Sequence, residues 1–112
     1  MPDIAFSILY VADTARSAAF YAAALGREPV EASPGFAMIP AGPGLMLGLW
    51  RREGVVPVAQ GTGGGELCLT LDSAAAVTAC HAEWVARGVA MALPPSMLDF
   101  GFGFVALDPD GH

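Results

Sequence analysis

The chain has 112 residues, 54% of them hydrophobic and 14% charged, and carries a net charge of −6. It contains no lysine, and its cations are Arg16, Arg27, Arg51, Arg52 and Arg87. Phosphate binding needs clustered positive charge, so neither nucleic acid nor an anionic membrane surface is expected as a partner. No apolar run approaches the roughly 20 residues that span a bilayer. The opening "MPDIAF" lacks the positive start of a secretory leader. A cytoplasmic protein is expected, with Cys68 and Cys80 as reduced core thiols.

Ile4 to Val11 ("IAFSILYV") reads as a strand. Asp13 is placed as the N-cap of the Ala-rich helix "TARSAAFYAAAL", and Gly26 as its C-cap. "REPVEA" and "GFAMIP" read as short strands, and "AGPG" turns the chain into a further strand, "LMLGLW". The Gly- and Pro-rich "RREGVVPVAQGTGGG" reads as a linker. The pattern then restarts. "ELCLTL" is a predicted strand, Asp72 or Ser73 caps "AAAVTACHAEWVAR", and Gly88 ends that helix. "VAMAL" is a short strand, "PPSMLD" a loop, "FGFGFVAL" a strand and "DPDGH" a turn.

The order β-α-β-β-β followed by β-α-β-β is an internal repeat at the level of elements. It gives one domain over residues 1–112, with a first module at 1–50, a linker at 51–65 and an incomplete second module at 66–112. The turn "DPDG" points to a further strand that is not present in this sequence.

The strand "LMLGLW" is unusual because both of its faces are apolar. Successive side chains of a strand point to opposite faces. Leu45, Leu47 and Leu49 form one face, and Met46, Gly48 and Trp50 the other. The leucines satisfy an ordinary core, so the second face needs another occupant. The same parity sets Phe6, Ile8 and Tyr10 apart on the first strand, and Phe36 and Met38 on a neighbouring one. Gly48 is expected to leave room for something to approach the strand.

The stretches "ILYVADTARSAAFYAAALGREPV", "GLMLGLW", "ELCLTLDSAAAV" and "FVALDPDGH" resemble the vicinal oxygen chelate superfamily. That group contains glyoxalases, extradiol dioxygenases and bleomycin-, fosfomycin- and phenazine-resistance proteins. The resemblance covers nearly the whole chain. It implies an α+β fold of two tandem βαβββ modules, with curved mixed sheets around a cavity, and a homodimer. It also implies that a metal enzyme of the family would carry ligands at Phe6, Gly48 and Glu66, and a fourth on a final strand not present in this sequence. Only Glu66 bears a donor, and one carboxylate does not hold a divalent ion against water. No metal and no other cofactor is therefore expected.

His81 reads as a packing residue, His112 as turn chemistry, and Glu66 as a solvated charge. Cys68 shares a face with Glu66 and Thr70 and is placed as a cavity residue without an activating neighbour. The expected ligand-binding set is Phe6, Phe36, Met38, Met46, Gly48, Trp50, Cys68, Met97, Phe100, Phe102 and Phe104. Aromatic rings and soft thioethers suit a flat aromatic molecule better than chelation. The expected function is thus sequestration, without catalysis, of a planar and largely uncharged aromatic antibiotic, most like the phenazine-resistance branch. The alternatives are a metal-dependent lyase, isomerase or dioxygenase with an altered site, and a protein that keeps the fold without a small ligand.

Overall fold

The computed structural model describes residues 3–63, 65–99 and 101–112. In chain order the elements are β1 (Phe6–Val11), α1 (Thr14–Leu25), β2 (Glu31–Ala32), β3 (Phe36–Gly42) and β4 (Leu45–Arg51). A 3-10 turn at Arg52–Gly54 leads on to α2 (Ala74–Ala86), β5 (Ala90–Leu98) and β6 (Gly101–Leu107). The fold is α+β and divides into two compact units, Met1–Thr62 and Gly63–His112.

In the first unit the sheet order is β1-β4-β3-β2. β1 runs parallel to β4, and the other pairs are antiparallel. A parallel pair needs a long return path, which α1, β2 and β3 supply. The helix starts where the sequence places it. Asp13 is extended, and its Oδ1 accepts the Arg16 N–H at 3.1 Å. It ends at Gly26, whose φ of 65° is the left-handed region that glycine reaches without strain. Arg27 then reaches over the sheet and donates to the Pro40 carbonyl at 3.2 Å.

Thr14, Ser17, Ala18 and Tyr21 are the buried residues of α1, spaced as one helical stripe. The small Ser17 and Ala18 let the helix lie close on the sheet. Against it pack Val11, Ala37, Ile39, Leu47 and Leu49. Leu47 and Leu49 are fully buried, as the strand parity requires. The segment placed as a linker from residue 51 is partly structured, since the first unit continues through it and Val55 is buried.

The second unit departs more from expectation. Of the two expected caps of α2, Ser73 takes the position, with its Oγ accepting the Ala76 N–H at 3.1 Å. Gly88 follows the helix with φ 84°. The predicted short strand and loop merge into one long β5 paired antiparallel with β6. Pro94 and Pro95 are tolerated because the register shifts between Leu93 and Ser96, so neither needs a ladder N–H. The predicted strand "ELCLTL" forms no ladder. In the first unit β1 gains its ladder from the parallel β4. Among the described residues the second unit has no strand in that place. Leu67, Leu69 and Leu71 accordingly stay 41%, 45% and 39% exposed.

The closing turn is held by its first aspartate. Asp108 is buried, and its Oδ1 accepts the N–H groups of Asp110 at 2.9 Å and His112 at 2.8 Å.

Truncating the fully buried Leu47 tests the placement of the core. Leu47→Ala is expected to lose about 2–5 kcal/mol of stability, read from a urea denaturation curve.

Candidate functional site

The site is the face of the first sheet that turns away from α1. The ladder builds it in rows across β1, β4 and β3. Phe6 stands beside Met46 and Met46 beside Pro40; Ile8 beside Gly48 and Gly48 beside Met38; Tyr10 beside Trp50 and Trp50 beside Phe36. Directly paired residues share a face. These side chains therefore form one apolar wall, half-buried at Phe36, Met38, Met46 and Trp50 and exposed at Phe6 and Ile8. Tyr10 and Ile8 belong to it as fully as Phe6 does, by the same parity. Pro40 is an addition that only the register reveals.

Tyr10 and Trp50 meet edge to face, with ring centroids 6.1 Å apart and planes at 79°. That geometry fixes the indole and suits the opposed charge of ring edge and ring face. The indole nitrogen leans toward the 3-10 turn, lying 3.7 Å from the position a Cβ would take on Gly54.

Gly48 corrects an expectation. It was expected to leave an opening, but the opening is filled from within. A Cβ on Gly48 would fall 2.9 Å from the Phe36 Cζ and 3.2 Å from the Ile8 Cγ1. Gly48 is buried, and the glycine serves the close approach of the Phe36 ring, which leans diagonally across it. What Gly48 offers a ligand is the ring above it, not bare backbone.

The same contact bears on a metal. Phe6 has no donor atom, Gly48 lies under a ring, and Glu66 is exposed in the unladdered segment. Among the described residues no three His, Cys, Asp or Glu side chains come together as a ligand set. The residues present do not fit a divalent ion at the family's position.

A concavity of about 500 Å³ opens beside the start of α1, lined by Asp13, Thr14, Ser33, Pro34 and Arg51 among others. Its polar groups are spent on structure. Asp13 caps the helix, Thr14 Oγ1 donates to the Pro34 carbonyl, and Arg51 pairs with Glu53 at 3.3 Å.

The remaining expected contacts lie in the second unit. Phe104 packs against α2. Its ring centroid is 5.2 Å from His81 and 5.5 Å from Trp84, both edge-on. Alternation along β6 puts Phe102 on that same face. His81 is thus a packing residue. Met97 stands in β5 and is 76% exposed, and Cys68 is exposed in the segment without a ladder. Phe100 lies outside the described residues.

Cys80 is half-buried on α2. Burial is the main cause that pushes its thiol above the ordinary range, Glu83 adds to the effect, and Arg87 opposes it.

The model of the Glyoxalase/Bleomycin resistance protein/Dioxygenase superfamily matches residues 3–112. A phenazine antibiotic resistance protein of Enterobacter agglomerans is 28% identical over 108 residues, which span 94% of this chain and 83% of that protein. A protein of Agrobacterium tumefaciens solved in solution is 45% identical, with a TM-score of 0.89 over 100% of this chain and 93% of its own. A glyoxalase-related enzyme from Fulvimarina pelagi is 25% identical, with a TM-score of 0.87 over 100% of this chain and 84% of its own.

Two outcomes check this geometry. Gly48→Ala is expected to cost about 1–3 kcal/mol of stability alone and much less in a Phe36→Ala background, because the clash is with that ring. With iodoacetamide near neutral pH, Cys68 is expected to be alkylated before Cys80. A raised thiol pKa leaves less thiolate, and the thiolate is the nucleophile. Peptide mapping over time reads the order.

Proposed function

We propose that this chain, which belongs to the glyoxalase/bleomycin resistance protein/dioxygenase superfamily, binds a flat aromatic small molecule without transforming it. The observation that carries this reading is the row Tyr10, Trp50 and Phe36, with its flanking thioethers Met38 and Met46. Rings and thioethers adapt to a planar π surface through stacking and dispersion. Small-molecule sites are mostly apolar, with few polar groups for orientation. Metal-dependent chemistry of the family needs donors at Phe6 and Gly48, which these residues do not supply. The resistance protein of Enterobacter agglomerans supports an antibiotic, a phenazine among others, as the ligand.

The proposed contacts are Phe6, Phe36, Met38, Met46 and Trp50. Trp50 is the stacking platform, and Phe36 forms the floor over Gly48. The functional form is a homodimer in this proposal, because apolar surface such as Phe6 and Ile8, each 44% exposed, is otherwise left to water. Sedimentation velocity at micromolar concentration is expected to show the dimer, and a stable monomer would count against it.

Incubation with phenazine, followed by chromatography, is expected to return the compound unchanged, while Trp fluorescence falls on binding. A new product would favour the enzyme reading, and no quenching by any planar aromatic would remove the binding one. Trp50→Ala is expected to weaken binding by about 1–3 kcal/mol, comparable with aromatic stacking on a nucleobase, with a smaller change in the denaturation midpoint. Glu66→Gln is expected to leave affinity as it was, since no metal depends on that carboxylate.

A further inference from the structure

Charge distribution around the wall narrows the ligand class, given the binding reading above. Arg51 pairs with Glu53, Arg87 with Glu83, and Arg27 donates to a backbone carbonyl. Arg16 also has a partner. Among the described residues Arg52 is the cation whose guanidinium has no hydrogen bond or ion pair within the protein. It is half-buried, so part of its hydration is already lost. It opens the 3-10 turn that follows β4, two residues after Trp50, and the Trp50 indole nitrogen leans toward the far end of that turn at Gly54.

We infer that Arg52 is an anchor for an anionic group on the ligand, so that the molecule stacked on Trp50 is a planar aromatic acid and not a neutral ring system. A guanidinium presents a rigid fork of N–H donors and no acceptor, and a carboxylate is its natural bidentate partner. The charge of opposite sign on the wall is Glu31, which pairs across the ladder with Met38. It is exposed, and it stands in the row of Gly48 rather than in the row of Trp50. The net charge of −6 repels anions only at long range, and salt screens that field beyond about 8 Å.

The test compares acridine-9-carboxylate with the neutral acridine-9-carboxamide by calorimetry on the full chain. The carboxylate is expected to bind about tenfold more tightly, the usual scale of a charge-assisted hydrogen bond. Arg52→Gln is expected to abolish that preference, so that carboxylate and amide bind alike, while Arg52→Lys keeps part of it because the charge remains. Equal binding of the two compounds by the unaltered chain would overturn the anchor and leave the aromatic wall standing. So would a preference that survives Arg52→Gln. Failure of both compounds to bind would remove the wall as a site, and the anchor with it.

Discussion

The parallel ladder between β1 and β4 is the constraint on which the first unit rests. It sets Phe6 against Met46 and fixes every later pair by the two-residue period of a strand. The helix then covers one face, and the residues that face it are Val11, Ile39, Leu47 and Leu49. Everything on the other face is left as wall. A slip of one residue would carry Trp50 and Met46 into the core and the leucines into water. Core and wall are therefore one specification.

Within that wall the protein has traded a side chain for a ring. A carboxylate at residue 48 would need the space that Phe36 occupies. The exchange removes a donor and supplies a flat surface at the same point. Arg52 gains meaning from this exchange. In a chain whose other arginines have found partners, Arg52 is half-buried and two residues along the chain from Trp50.

Much of this was legible in the sequence because it rests on local rules. Asp13 and Gly26 mark the helix ends by capping chemistry, and strand parity separates Leu47 and Leu49 from Met46 and Trp50. Parity also joins Phe6, Phe36, Met38, Met46 and Trp50 before any coordinates are considered. What escaped depends on partners distant in sequence. "ELCLTL" has all the composition of a strand, yet a strand exists only where another completes its ladder. The filling of Gly48 depends on the lean of a ring from β3, and parity fixes only the face. That Trp84 and His81 meet the ring of Phe104 depends on how α2 packs on β6, which alternation along β6 does not give. Arg52 was visible as a cation, but which arginines pair is decided only when the turns fold.

The two prolines of β5 have an effect beyond the bend they permit. β5 has β6 on one side and no other strand among the described residues. An extended chain arriving at its outer edge would look for alternating donors and acceptors. At Pro94 and Pro95 it would meet a gap in the donors, where the register also shifts. A strand added along that border would lose a hydrogen bond at mid-length, so the dipeptide disfavours edge-to-edge pairing there.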